Sequence, residues 1–353
     1  MKTDPLSILR WHEEHYPQLT EQDRIKLMYQ RSRGAGHMIP DRGVSLYYLE
    51  NEYRQLDSEI SAPLEPLGND RFRLSLQEAS RKDLSPGLLN CIFAAGAETG
   101  EAIRPESDGS EDLPSLLAML PHSDSLSAYI ASGCPSVHHS DTYRNAYHPA
   151  YRVLEGTLLR ALPLIQAIDN AAKPVICAID GKCGAGKTSL ARMLASVFDA
   201  SVIHMDDFYV PFRERTPAFT SVPGWNVDLP RFREEVLVPL AQHRAFSYRH
   251  YDPRSDSFTA EVSVPAADVY IIEGSYCLRP DLVPHWDLTC FVDLPDDLQQ
   301  ERILRRNGPE ILKMFNNQWI PNERVYHAAY DIPEKAGFRI LNITDTTADN
   351  SLT

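Results

Sequence analysis

The chain has 353 residues, 43% of them hydrophobic, 24% charged and 9% aromatic, with 17 Gly and 26 Pro, a profile that excludes collagen-like, low-complexity and disordered classes and calls for two hydrophobic cores. A formal charge of -14, from 35 basic and 49 acidic residues, argues against general affinity for nucleic-acid backbone or anionic membrane, so any anion site must be local. The six cysteines form no CxxC pair, the first residues lack an apolar leader and no apolar run reaches spanning length, which together lead us to expect a reduced, cytoplasmic compartment.

Residues 1–170 are expected to form a mostly α-helical N-terminal domain whose role the sequence leaves open. Thr20-Glu21-Gln22-Asp23 reads as a capping box and Gly34 as the stop of the helix it opens. Leu46, Leu49, Tyr53 and Leu56 recur at helical spacing, whereas Phe72, Leu74 and Leu76 alternate as in a short strand. Ser85-Pro86 opens another helix, and the polar stretch Glu101 to Asp112 reads as a surface loop. Leu154, Leu158, Leu162, Ile165 and Ile168 predict one long helix ending near Asn170, where the domain boundary is placed. Gly34-Ala35-Gly36-His37, His138-His139-Ser140 and Tyr147-His148-Pro149-Ala150-Tyr151-Arg152 stand out in this half. Imidazoles can converge on a metal or a phosphorylated ligand, but these are widely spaced with no zinc-type cysteine pattern, so they are read as structural histidines and loop caps.

From 171 to 353 the pattern becomes apolar runs of strand length separated by long connections: Val175 to Ile179, Ser201 to His204, Val269 to Ile272, Leu288 to Leu294 and Phe338 to Ile343. Such alternation implies an α/β domain with a parallel sheet flanked by helices. Between the first run and a helical segment stands Gly181-Lys182-Cys183-Gly184-Ala185-Gly186-Lys187-Thr188, a full GxxxxGK[ST] phosphate loop followed by Ser189. Its glycines let the backbone wrap an anion with N–H groups turned inward, and the following helix adds its positive end. Lys187 would neutralise the β- and γ-phosphates and the Thr188 hydroxyl would ligate Mg²⁺.

Two further strand ends carry carboxylates. Asp206 and Asp207, in His204-Met205-Asp206-Asp207-Phe208-Tyr209, follow the second run, where a parallel sheet opens its ligand crevice, and one of them can accept a proton from an acceptor hydroxyl. Glu273 ends the Val269 run and can reach Mg²⁺ or its waters. Arg302, Arg305 and Arg306 follow the Leu288 run on a helical segment suited to a lid over phosphates.

In this order, the phosphate loop, Met205-Asp206-Asp207-Phe208-Tyr209, Tyr251-Asp252, Ile272-Glu273-Gly274, Phe291-Val292-Asp293 and Arg302 to Arg306 resemble the uridine kinases and their phosphoribulokinase, pantothenate kinase and nicotinamide riboside kinase relatives. The resemblance covers roughly residues 174 to 345 and implies a P-loop NTPase kinase fold. It further implies ATP and Mg²⁺ as cofactors, Lys187 on the phosphates, Thr188 and Glu273 at the metal, Asp206 as the hydroxyl-activating base, and Arg302 and Arg306 on the lid. On the acceptor side it points to Asp207, Tyr209, Asp228 in Asn226 to Phe232, and Tyr251. The histidine those kinases carry shortly after Tyr-Asp is replaced by Pro253-Arg254-Ser255-Asp256, and Trp319-Ile320-Pro321-Asn322-Glu323 matches no feature of the family pattern. The expectation is therefore a kinase for a hydroxyl of a nucleoside or related riboside. A kinase for pantothenate or a sugar phosphate, and an ATP-sensing regulator without turnover, are the alternatives. The expected partner is a small-molecule hydroxyl acceptor, with no nucleic acid and no membrane; homo-oligomerisation is left open.

Overall fold

The computed structural model describes residues 4–35, 41–56, 64–102, 112–216 and 221–343. Gly36-His37 and positions 103–111 of the expected polar loop lie outside the described residues. Two compact units form, one within the first 159 residues and the other Arg160–Ile343. No helix among the described residues is long and apolar enough to cross a membrane.

The first unit sets helices Pro5–His15, Glu21–Arg33, Arg42–Arg54 and Pro86–Ala102 with shorter ones around an antiparallel sheet of β1 (Glu65–Gly68), β2 (Arg71–Ser75) and β3 (Tyr151–Glu155). The capping box is present: the Thr20 N–H and hydroxyl both donate to Asp23 Oδ2, at 3.0 and 2.7 Å. Gly34, at φ +63°, ends that helix. All five residues of β2 are buried, so both faces of the strand are covered. Phe72 and Leu74 enter the apolar core, while Arg71 pairs with Glu155 at 2.8 Å and Arg73 with Glu65 at 3.0 Å. Arg73 also donates to Gln30 Oε1, and Gln30 Nε2 to the Tyr151 hydroxyl. His139 bridges Asp23 at 2.9 Å and Tyr151 at 2.7 Å, and Ser140 donates twice to Asp23. These buried polar groups thus satisfy one another, as interior polar groups must.

The long helix expected from Leu154 to Ile168 is a strand and two short helices. Leu154 lies on β3, Leu158 on Gly156–Arg160, and Leu162, Ile165 and Ile168 on Leu162–Asn170. Pairing of β3 with β2, Phe72 opposite Leu154, overrides a spacing that either element could carry.

In the second unit, five parallel strands run in the order β10 (Phe338–Leu341), β9 (Leu288–Asp293), β4 (Val175–Gly181), β8 (Val269–Glu273), β5 (Ser201–His204). This is the P-loop kinase sheet, with helices on its flanks. The five apolar runs each became a strand, and β4 and β8 are buried almost throughout because both faces of the sheet are covered. An antiparallel hairpin, β6 (Phe246–Asp252) and β7 (Ser257–Val264), was not foreseen. Tyr248 of β6 packs with Phe208, Phe232, Tyr270, Trp286, Phe291 and Tyr326 in one buried cluster. Burying each such ring contributes about 1.5–3 kcal/mol. All five strands present their carboxyl ends on one edge, and β4, between β8 and β9, delivers the phosphate loop to its middle.

Burial pulls the His139 pKa down to about 4, despite the adjacent Asp23 carboxylate. An unfolded His139 titrates near 6.5, so between these values the unfolded chain takes up a proton that the folded chain refuses, and stability falls as pH drops. Hydrogen-exchange protection of β1–β3, taken relative to the intrinsic rate at each pH, should therefore fall from pH 6.5 to 4.5 more steeply in the wild type than in His139→Gln. Parallel slopes would mean that the imidazole is already charged in the fold.

Candidate functional site

The phosphate loop leaves β4 through a close approach. Gly181 sits at φ +148°, and a Cβ there would lie 2.1 Å from the Val292 carbonyl oxygen of β9, so only glycine fits. Gly186, at φ +91°, opens the helix Lys187–Phe198, and its missing side chain leaves room for Asn342, whose amide donates to the Ala185 carbonyl at 2.6 Å. The half-buried Lys187 donates to the carbonyls of Gly181 at 2.7 Å and Lys182 at 3.1 Å and reaches the Ser275 hydroxyl at 3.3 Å. Burial disfavours its charge, but the carboxylates of Glu323, Asp180, Asp206 and Glu273 outweigh that and raise its pKa. Lys182 turns out of the loop, to the Leu294 carbonyl, Asp293 and Asp296. Cys183 is gripped on both sides of its backbone: Glu323 accepts from its N–H at 2.9 Å, and Gln299 donates to its carbonyl at 2.9 Å. Ser189 lies in the first turn of the loop helix, half-buried.

Beside the loop, the Thr188 hydroxyl donates to Glu273 Oε1 at 3.0 Å, at the end of β8. His204, the last residue of β5, meets the same oxygen at 2.5 Å; this bond sets the ring's pKa above its ordinary value, against burial, which lowers it. Among the described residues no cluster of three or more histidine, cysteine or carboxylate side chains is placed to hold a metal ion. The Thr188–Glu273 pair offers a hydroxyl and a carboxylate, hard oxygen donors suited to Mg²⁺, which takes few protein ligands and keeps waters and phosphate oxygens for the rest.

The Asp206-Asp207 pair divides. Both lie on a 3₁₀ turn, Met205–Phe208, directly after β5. Asp206 is exposed and accepts from the Tyr209 hydroxyl at 2.8 Å. The crevice still strips part of its water, which raises its pKa; the Tyr209 bond lowers it and the Glu273 charge raises it again. Asp207 is buried and bound by the Tyr248 hydroxyl at 2.8 Å and His250 Nδ1 at 2.6 Å, while its carbonyl accepts from Arg231 at 2.6 Å. Asp228 caps the short helix Leu229–Phe232, accepting from the Arg231 N–H at 3.1 Å. Tyr251 is buried against Phe258 with its hydroxyl donating to Asp256. On the helix Asp296–Met314, Arg302 lies along the phosphate loop, 3.4 Å from the Gly184 carbonyl and 3.1 Å from that of Asn342. Arg306 is exposed and donates to Asn307.

The loop, Thr188, Glu273, Asp206 and Arg302 thus share one edge of the sheet. The sequence reading missed Ser275, Tyr248, His250, Arg231 and Glu323. The first follows Glu273 by two residues and was within reach of that motif. Arg231 lies on the helix Leu229–Phe232, inside the segment already singled out for Asp228, while Tyr248 and His250 hold the site from the hairpin and Glu323 from the helix Ile320–Tyr330, where no local pattern marks them.

The two neighbouring carboxylates should respond differently to removal. Asp207→Ala leaves the buried Tyr248 hydroxyl proton without its acceptor and should cost about 1–3 kcal/mol, whereas the exposed Asp206→Ala should stay within about 0.5 kcal/mol. Urea unfolding of the two variants checks this; equal losses would place Asp206 in the structural framework as well.

No protein-family model matches the chain. A uridine kinase of Oceanobacillus iheyensis is 30% identical over 181 residues, 46% of this chain and 83% of that protein. A uridine kinase of Geobacillus kaustophilus is 28% identical over 181 residues, covering 46% and 82%. A solved structure described as a possible uridine kinase from Bacillus stearothermophilus aligns with 51% of this chain and 97% of its own, at 21% identity and a TM-score of 0.41. Over about half its length, the chain belongs to the uridine kinase family of P-loop kinases.

Proposed function

We propose that this protein transfers the γ-phosphoryl group of ATP, with Mg²⁺, to a hydroxyl of a nucleoside or related riboside. The observation that carries the reading is the placement of an exposed carboxylate, Asp206, on the edge where the phosphate loop and the Thr188–Glu273 pair also stand. The relatives' printed name, uridine kinase, supports the nucleoside class.

The residues then divide the work. The loop Gly181 to Ser189, through those backbone N–H groups not already bonded within the fold, and the Lys187 ammonium would hold the phosphates. Thr188 and Glu273 would hold Mg²⁺, which supplies charge neutralisation along the phosphates when bound. Asp206 would accept the proton of the acceptor hydroxyl, and the upward shift of its pKa, caused first by desolvation, makes it a better base than an ordinary aspartate. Arg302, already against the loop, and Arg306, further along the same helix, would neutralise charge that builds on the transferred group. Asp207 would act on the acceptor indirectly, by fixing His250 and Tyr248 of β6 beside Asp206, and Tyr209 would orient the base through its hydroxyl. Asp228 and Tyr251 would shape the acceptor side from the start of the helix Leu229–Phe232 and from the hairpin.

The test is acceptor-dependent ADP formation by the full-length protein with Mg²⁺-ATP across uridine, cytidine, adenosine, nicotinamide riboside, pantothenate and ribulose 5-phosphate. A nucleoside or riboside should raise the rate, Lys187→Ala should abolish it, and Asp206→Asn should lower kcat by about 10²–10⁴ while ATP still binds. Turnover confined to pantothenate or the sugar phosphate would replace the acceptor class. An Asp206→Asn enzyme as fast as wild type would reject the assigned base.

A further inference from the structure

Glu323 presents a carboxylate to the phosphate loop from the helix Ile320–Tyr330. It is only 4% exposed. One oxygen accepts from the Cys183 N–H at 2.9 Å and the other from the Ser275 hydroxyl at 2.7 Å, the same hydroxyl that Lys187 reaches at 3.3 Å. The Cys183 thiol is also hydrogen-bonded to it. Among the described residues no lysine, arginine or histidine forms an ion pair with it within 4.0 Å. A buried carboxylate without a direct ion pair is costly unless its surroundings are electropositive. Here those surroundings are the machinery a phosphate would use: an N–H of the loop, a hydroxyl beside it, and the ammonium of Lys187. Asp180, Asp206 and Glu273 also place their charges around Lys187. These three are otherwise engaged. Asp180 is bound by backbone N–H groups and Tyr326, Asp206 by Tyr209, and Glu273 by Thr188 and His204.

We propose that Glu323 is a resident anion of the phosphate loop, which the phosphates of the nucleotide displace on binding, so that this side chain sets nucleotide affinity. A phosphate chain brings further negative charge to the loop and competes for Lys187 and for the inward N–H groups. The helix itself need not move. Tyr326, one turn after Glu323, donates to Asp180 at 2.8 Å and anchors this face of the helix, so rotation of the Glu323 side chain is enough. The cost of moving a hydrogen-bonded carboxylate is subtracted from the binding energy, which keeps product ADP from being held too tightly. This rests on the nucleotide reading of the loop and adds to it a residue outside the loop motif.

The experiment is calorimetric binding of ADP with Mg²⁺ to the full-length protein, with no acceptor present. Glu323→Gln keeps the shape and an acceptor oxygen while removing the charge, and should bind ADP about tenfold more tightly, the scale of one like charge several ångströms away in a partly buried site. The gain should shrink as salt is raised. Unchanged or weaker binding by the folded variant overturns the proposal and makes Glu323 a strut of the loop. The wild type gives a second reading that does not depend on the variant folding. In a crystal structure with ADP bound, the Glu323 carboxylate should have left the Cys183 N–H; its persistence there also overturns the proposal. Equal ADP affinity in the two proteins removes this inference and leaves the kinase reading intact. A wild type that binds ADP but turns over no acceptor does the reverse, and a wild type that binds no ADP sinks both.

Discussion

The carboxylate of Asp180 joins the separate parts of the phosphate site. It is fully buried at the end of β4, where one oxygen accepts from the Gly181 N–H at 2.7 Å and the other from the Leu278 N–H at 3.0 Å and the Tyr326 hydroxyl at 2.8 Å. Those donors belong to the phosphate loop, the turn after β8 and the C-terminal helix. Burial pushes its pKa up, and the hydrogen bonds offset part of that cost. The loop therefore takes its path from the sheet that carries it. The loop backbone is held in place by β4, β9 and Asp180.

That rigidity explains how a chain of formal charge -14 can build an anion site at all. Acidic residues crowd the edge of the sheet, yet each has a defined donor, and positive potential comes from the Lys187 ammonium, the Arg302 guanidinium along the loop and the backbone dipoles. Lys187 keeps its proton because those carboxylates surround it. Acidity around the loop thus serves the lysine, while in the proposed reading each carboxylate close to the phosphate path would oppose the nucleotide. The two effects share a cause, and their balance lies in which carboxylate can move. Asp180 cannot move without loosening three elements, whereas Glu323 can turn on its own side chain.

How far this was legible depends on the range of the interaction. The five apolar runs were readable as strands because a strand buried on both faces must be apolar throughout. The loop was readable because wrapping an anion demands glycine at positions such as Gly181, where any Cβ would strike the Val292 carbonyl. The β6–β7 hairpin was not, since its first strand, Phe-Ser-Tyr-Arg-His-Tyr-Asp, mixes buried rings with charged groups and its second is largely exposed. The stretch Leu154 to Ile168 was misread for a related reason. Leucines four apart suit a helix, but Arg71 pairs with Glu155 across 84 positions and draws the start of that stretch, as far as Glu155, into the first unit's sheet. Glu323 was out of reach altogether, because it meets Cys183 across 140 positions and carries no local signature.

The Asp206-Asp207 pair shows how backbone geometry separates two adjacent residues of one type. Either aspartate could have been the base on sequence alone. On the 3₁₀ turn Met205–Phe208 a residue lies above the third one after it, which puts Tyr209 over Asp206 and lets its hydroxyl reach the carboxylate. One position on, the chain has rotated by about a third of a turn, and Asp207 points at β6, where Tyr248 and His250 are waiting. The first carboxylate stays in the crevice and the second is spent holding the hairpin. Because Asp207 is fixed through two side chains of β6, the hairpin cannot shift without disturbing the peptide that carries Asp206. The packing of a strand that the sequence barely announces therefore governs where the proposed base stands.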